Sequence, residues 1–344
     1  MIAPERNERL PVGVCMWGMT YTLGVQGTGT PRRHPAPLGP EAFLDLAASL
    51  GLGRAELSAE YVAPDLDAGK LAVFRSRAHD LGLAVTLSGP GLDVEGAPAA
   101  LRRAFDAAEA LGARHIRTTL SKILCGERKL LGGLGGWRAH LRRVADVLRE
   151  IAPDAERRGL ALAIENHQDA TSWDLMELCE ASGSAAVGVN LDTGNPLAVG
   201  EDILSFARRI LPRLVNVHLK DYRMFATGSG YRLVRCALGE GLVPFRELFE
   251  LFRERPAATL SIELAALDNR HIRFLDDDWW EGLGPRDIRD VLPVVRLWRE
   301  RAETGEYRTP WERGRDAELP GYEMDQMMRS VRYIRELLAP VPVR

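Results

Sequence analysis

Four short, β-rich apolar runs each carry a carboxylate or imidazole near their end: ALAIENH with Glu165, AVGVNLDTGN with Asp192, RLVNVHLKD with His218, and ATLSIEL with Glu263. Three carboxylates and one imidazole make a hard, oxygen-rich donor set, which suits Mn²⁺, Mg²⁺, Co²⁺ or Zn²⁺ and disfavours soft thiolate-type sites. One divalent ion is expected, Mn²⁺ first. Two adjacent substrate oxygens, such as a carbonyl and its neighbouring hydroxyl, could complete its coordination. The ion would then stabilise the charge that develops when the proton on the intervening carbon is removed. A single acid at a strand end is usually solvated or caps the next helix, and a single histidine usually satisfies a local hydrogen bond. Four such residues on successive strands read as one site.

The elements that must position them follow from the spacing. The separations from 165 to 192 and from 192 to 218 each fit one crossover helix with its loops, and the third, to 263, leaves room for an added loop, as in parallel βαβ units. Upstream, LPVGVCMW (10–17), RAELS around Glu56, LAVTLSG ending near Ser88 and HIRTTL read as four more strands. They alternate with helices expected over EAFLDLAASL, 64–79, 98–111 and 137–158. Eight such repeats close a (β/α)8 TIM barrel, whose active site lies at the C-terminal ends of the strands. Residues two apart on a strand share a face, so His167 accompanies Glu165, and Lys220 accompanies His218. His167, with an intrinsic pKa near neutrality, is a candidate general acid/base. The expected substrate wall comprises Trp17, Glu56, Arg117, Asn195, Lys220 and Arg235, with the loop 274–280. Lys220, His167 and Arg235 could pair with an acid group on the substrate.

The barrel domain is expected over 1–304, with a helix over 285–303 supplying outer layer. Residues 305–344 form a polar loop and a terminal helix whose stripe of Met327, Val331, Ile334 and Leu338 packs on the barrel or on a second subunit. A homo-oligomer is expected. The long Gly/Pro-rich segment TYTLGVQGTGTPRRHPAPLGP has the length of a functional lid. Its glycines at 24, 27 and 29 run G-x-x-G-x-G with no helix opening directly after them, which argues against a dinucleotide fingerprint.

The 45 basic and 48 acidic residues nearly balance, which argues against nucleic acid or a membrane surface and for a small-molecule partner. Cys15, Cys125, Cys179 and Cys236 are scattered with no C-x-x-C pair, and the opening MIAPERNERLP has no apolar signal core. A reducing cytoplasm is the expected location. No apolar run approaches the roughly 20 residues that span a bilayer.

The series IEN at Glu165, NLDTGN at Asp192, VHLKD at His218, LGEG near Gly239 and SIEL at Glu263 resembles the xylose-isomerase-like TIM-barrel superfamily, the sugar phosphate isomerase/epimerase group, over about Leu10 to Leu267. The resemblance implies that Glu165, Asp192, His218 and Glu263 bind one divalent metal. As in ketose epimerases of the tagatose 3-epimerase type, Glu165 and Glu263 would shuttle protons on opposite faces of an enediolate. The chain departs from that pattern at Asn195, where those epimerases carry a histidine, and at Thr171, where they carry a glutamate. A metal-dependent keto-sugar or sugar-acid isomerase/epimerase is therefore the leading expectation. The superfamily's lyases are the alternative: oxo-sugar-acid decarboxylases, oxo-glycoside-cleaving enzymes and dehydratases. A catalytically silent sugar-binding barrel is a further class. An endonuclease IV-like reading is disfavoured, because Glu56, Ser88, Asn195 and the His-free GEGLVPF segment stand where its trinuclear zinc cluster needs histidines.

Overall fold

A computed structural model describes residues 9–339; the N-terminal stretch read above for a signal core lies outside them through residue 8. The chain opens with β1 (Leu10–Cys15), α1 (Pro40–Ser49), β2 (Leu52–Ser58), α2 (Ala59–Val62), α3 (Ala68–Asp80), β3 (Ala84–Ser88), α4 (Ala97–Leu111), β4 (His115–Thr119) and α5 (Gly133–Arg158). It continues with β5 (Ala161–Glu165), α6 (Ser172–Ala181), β6 (Val187–Asp192), α7 (Ile203–Ile210), β7 (Leu214–Leu219), β8 (Tyr222–Thr227), β9 (Gly230–Arg235) and α8 (Phe245–Phe252). Last come β10 (Thr259–Ile262), β11 (Arg270–Ile272), α9 (Asp277–Trp280), α10 (Ile288–Arg301) and α11 (Leu319–Leu338).

Eight parallel strands close a barrel in the order β1-β10-β7-β6-β5-β4-β3-β2. Runs such as VGVNLD in β6 are buried on both faces, because side chains that miss the barrel interior meet the helices outside it. The register brings the strand-end residues level: Asp192 lies beside His218, His218 beside Ser261, and Cys15 beside Glu56. The helices stop where their sequences tell them to. Thr171 and Asp174 form a reciprocal capping box at the start of α6, which gives Thr171 a structural task at the position where the related epimerases carry a glutamate. The helix expected over 64–79 forms as α3 and starts only at Ala68, with the separate short α2 before it, since Ala63 and Asp67 leave helical geometry and Leu66 takes a positive φ of 54°.

A second, antiparallel sheet, β11-β9-β8, rises from the end of β7. Its β8–β9 hairpin fills the extra length seen between His218 and Glu263, and β11 joins from beyond Glu263. The helix expected over 285–303 forms as α10, yet it is tied to this small sheet: Glu303 N donates to Met224 O at 2.8 Å, Ala226 N donates to Glu303 O at 3.0 Å, and Trp298 packs edge-on against Phe274. The C-terminal helix α11 packs on the barrel of its own chain, next to α8 and α1. Tyr333 meets Phe245, Arg335 donates to the Leu50 carbonyl, and Ser330 accepts from Leu238 N. Met327, Val331 and Ile334 are buried there, while Leu338 is 37% exposed. Gly239, at φ 85°, lies under the Tyr333 ring so closely that a Cβ would sit 2.3 Å from it. The long β1–α1 segment is anchored by the same helix: the buried Glu323 accepts from Tyr21 N at 3.0 Å, Thr22 N at 2.8 Å and the Thr22 hydroxyl at 2.7 Å. No helix among the described residues is long and apolar enough to cross a membrane.

Candidate metal centre and cavity

Glu165 and Asp192 end β5 and β6, His218 is the penultimate residue of β7, and Glu263 directly follows β10. All four are buried at the C-terminal mouth of the barrel. One ligand atom from each of Glu165, Asp192 and His218 lies within 4.8 Å of the others. His218 Nδ1 is 3.4 Å from Glu165 Oε2 and 4.0 Å from Glu263 Oε2. The opposite ring nitrogen, Nε2, lies 2.8 Å from Glu56 Oε1. A carboxylate only accepts, so Nε2 carries a hydrogen and Nδ1 faces the carboxylate cluster. Burial opposes charge on the ring, but Glu56, with Cys15 and Glu165 adding to it, holds its pKa well above the usual range, so a divalent ion binding at Nδ1 would displace a proton there. Neither Nδ1 nor Glu263 Oε2 has a hydrogen-bond partner, although Lys220 Nζ forms an ion pair with that oxygen at 2.7 Å. Buried oxygen and nitrogen ligand atoms converging in this way are what a divalent ion needs.

A second cluster, Cys15 with Glu56 and His218, is also close enough to chelate. Its chemistry fits less well: His218 Nε2 and Glu56 Oε1 already satisfy each other at 2.8 Å, and a thiol is a softer donor than the carboxylates of the first cluster.

Two cations hold the carboxylates in place. Arg117 Nε donates to Glu165, and Lys220 Nζ donates to Asp192 while pairing with Glu263. Burial opposes ionisation of Glu165, but Arg117 and His218 outweigh it and keep the group well below the usual range. Burial pushes Asp192 up to about 7, against the pull of Lys220 and with Glu263 and Glu165 adding to it. Burial also opposes the charge on Lys220, and Asp192 and Glu263 more than restore it. The backbone is pinned too: Asp192 N donates to Asn166 Oδ1 at 2.6 Å, and Lys220 N donates to Thr193 Oγ1 at 2.9 Å.

Of these groups, Glu165, Glu263, Arg117 and Lys220 line a cavity of about 350 Å³. Trp17 and His167 line it as well. Trp17 is held by an indole hydrogen bond to Ser88 Oγ at 3.2 Å. His167 presents an Nδ1 that has no partner, and burial, with Arg117 and Lys220 adding to it, lowers its pKa to about 4. Its ring is neutral at pH 7.

Other expected wall residues lie elsewhere. Glu56 sits behind His218, accepting from it and from Asn216 Nδ2 at 3.3 Å. Asn195 accepts from Gln168 Nε2 at 3.2 Å. Arg235 is buried beneath α11, where it donates to Gln326 Oε1 at 2.8 Å and to the Gly18 carbonyl at 3.2 Å. It turns away because β9 alternates its side chains, and position 235 points at the helix. The loop 274–280 packs on the β4–α5 connection, with the Trp279 indole donating to Cys125 O at 2.7 Å, rather than on the cavity. The cavity gains residues that strand-end reasoning did not select: Thr20, Gln26, Gln168, Asp268 and Arg270. Arg270 lies in β11, on the segment that follows the last barrel strand.

A closed parallel barrel with its convergent donors at the C-terminal mouth defines the class, a TIM barrel carrying a candidate metal centre. The chain belongs to the xylose isomerase-like TIM barrel family, whose model matches residues 44–278. It is 29% identical over 224 residues to the 3-oxo-isoapionate decarboxylase of Pectobacterium atrosepticum, covering 64% of this chain and 75% of that protein. It is also 32% identical over 123 residues to an inosose dehydratase of Bacillus thuringiensis, covering 32% of this chain and 41% of that protein. A xylose isomerase-like TIM barrel protein from Mycobacterium smegmatis, solved with magnesium, superposes with a TM-score of 0.56 at 19% identity, covering 96% of this chain and all of the other.

Proposed function

We propose that this protein is a divalent-metal-dependent enzyme that enolises a keto-sugar or oxo-sugar acid, with Glu165, Asp192, His218 and Glu263 holding the ion. The observation that carries the reading is the pair of cavity-lining carboxylates, Glu165 and Glu263, at 3.4 and 4.0 Å from the unpartnered His218 Nδ1. A divalent ion at this position would supply Lewis acidity to neighbouring carbonyl and hydroxyl oxygens, lowering the cost of enediolate charge. One glutamate removes the proton from the intervening carbon and the other delivers one to the opposite face, so an epimer forms with no net proton consumed. Lys220 and Arg117 keep the two carboxylates ionised and oriented. The neutral His167 ring accepts or donates a hydrogen bond at a substrate hydroxyl.

A lyase outcome is the second reading. Lys220 favours it, because an ammonium beside Glu263 can protonate a leaving group or hold negative charge after a C–C bond breaks. The decarboxylase and dehydratase among the relatives support it as well.

Elemental analysis together with solvent-deuterium exchange tests the proposal. About one divalent ion per wild-type chain, lost in Asp192→Asn/His218→Ala, is expected, with deuterium entering the carbon next to the carbonyl of a processed oxo-sugar. Product analysis then separates an epimer from a cleaved product. Tight metal and sugar binding without exchange, isomer formation or cleavage would favour the silent barrel.

A further inference from the structure

We propose that the substrate carries a carboxylate and that Arg270 is the residue that binds it, an inference resting on the enolising reading above. Three basic side chains line the cavity, Arg117, Lys220 and Arg270. The first two are committed: Arg117 to Glu165, and Lys220 to Asp192 and Glu263. Arg270 is different. Its Nε is buried without a hydrogen-bond partner, and the guanidinium makes no ion pair among the described residues.

Asp268 lines the same cavity but makes no ion pair with Arg270 among the described residues, and other carboxylates flanking the small sheet are already taken. Glu312 accepts from Asn269 and Arg232, and Glu127, Asp276 and Asp278 are held by Arg273. Its neighbours on the small sheet thus have counter-ions, and Arg270 alone among them faces the cavity without one. A buried guanidinium N–H without an acceptor costs free energy that a ligand carboxylate recovers, with two parallel bonds to the planar fork. The position is firm, since Arg270 pairs with Leu233 in the ladder between β11 and β9.

The site favours a carboxylate over a phosphate. Beyond Arg270, the cavity wall brings no further uncommitted cation and no helix N-terminus of the kind that usually shares a phosphate's charge. It also orients the substrate. Glu165 and Glu263 line the same cavity, so an acid end is repelled by them and drawn to Arg270, which leaves the carbonyl end for the glutamates.

The test compares D-tagaturonate, D-tagatose and D-tagatose 6-phosphate on Mn²⁺-loaded wild type, Arg270→Gln and Arg270→Lys, by calorimetric titration and by deuterium exchange. In the wild type the keto acid is expected to bind at least tenfold more tightly than the neutral ketose. Arg270→Gln is expected to shrink that preference to within about twofold with metal content unchanged, and Arg270→Lys to restore part of it. Equal binding of acid and ketose, no binding of the acid, or a preference that survives Arg270→Gln would overturn the assignment. An Arg270-dependent preference for the phosphate would overturn the carboxylate. The two readings separate cleanly: Arg270-dependent acid binding without exchange defeats enolisation alone, and exchange into the ketose with no acid preference defeats the Arg270 assignment alone.

Discussion

Replacing Glu56 with glutamine isolates a residue that acts on the metal centre from behind. The carboxylate is fully buried, 2.8 Å from His218 Nε2, and makes no part of the cavity wall. Burial opposes its charge, yet His218 overcomes it and the group is held down to about 2. It therefore fixes the imidazole with hydrogen on Nε2, which leaves Nδ1, facing the carboxylate cluster, as the nitrogen that would bind the ion. A glutamine can keep one acceptor toward Nε2, but its amide NH₂ then meets the Asn216 Nδ2 donor that Glu56 Oε2 now satisfies at 3.3 Å. Losing the charge and this acceptor weakens the imidazole as a ligand. Partners of this type contribute about 10- to 100-fold in metal affinity, roughly 1.4 to 2.7 kcal/mol. The assay is competitive titration of Mn²⁺ against a chelating dye, with circular dichroism as a control for folding. An affinity within twofold of wild type in a folded Glu56→Gln protein would refute the argument, whatever happened to turnover.

Other consequences are open to measurement. Glu263→Gln is expected to abolish turnover while leaving the fold intact; an unimpaired variant would remove its assigned proton-transfer role. Burial raises Asp169 to about 7 in the folded state, where it meets the Ser121 hydroxyl at 2.6 Å and Ala170 N at 2.7 Å. The folded chain holds this proton after the unfolded chain, with an ordinary value near 3.8, has lost it. The contribution is thus fully present below about pH 4 and is lost as pH rises through about 7. Asp169→Asn, which mimics the protonated acid, should be the more stable protein at pH 8 by at most about 4 kcal/mol, at about 1.4 kcal/mol per pKa unit, with the gap closing toward pH 4. Urea melts across that range check it, and a pH-independent gap would count against the account. Glu323→Ala removes the acceptor for Tyr21 and Thr22 and is expected to cost about 3 kcal/mol, as loss of a buried charged hydrogen-bond partner does. Hydrogen exchange should rise first in residues 20–38; unchanged protection there would show that α11 does not anchor the loop.

Much of the barrel was legible in the chain because its signals are local. β-branched runs, Gly and Pro punctuation and helix-length spacers announce each strand and crossover, and β-strand periodicity alone assigns Glu165 and His167 to one face. The small sheet was not legible as a sheet. YRMFAT and GYRLVR flank a two-residue Gly-Ser loop, which signals a hairpin, but the pairing of β9 with β11 from beyond Glu263 is one that no local spacing announces. The helix boundaries that shifted, between α2 and α3, depend on a left-handed residue at Leu66, which a sequence of that composition does not advertise.

The chain by itself established the alternation of strand and helix, and the placement of Glu165, Asp192, His218 and Glu263 at successive strand ends. Both follow from contacts within a few residues. Barrel closure decided which side chains share a cavity. It set Glu56 behind His218 across 162 positions of sequence, buried Arg235 under α11, and left Arg270 facing the cavity without a counter-ion. Those outcomes depend on which distant groups satisfy one another's charge and hydrogen bonds. Such pairings exist only once the elements have packed, so no window along the chain contains them.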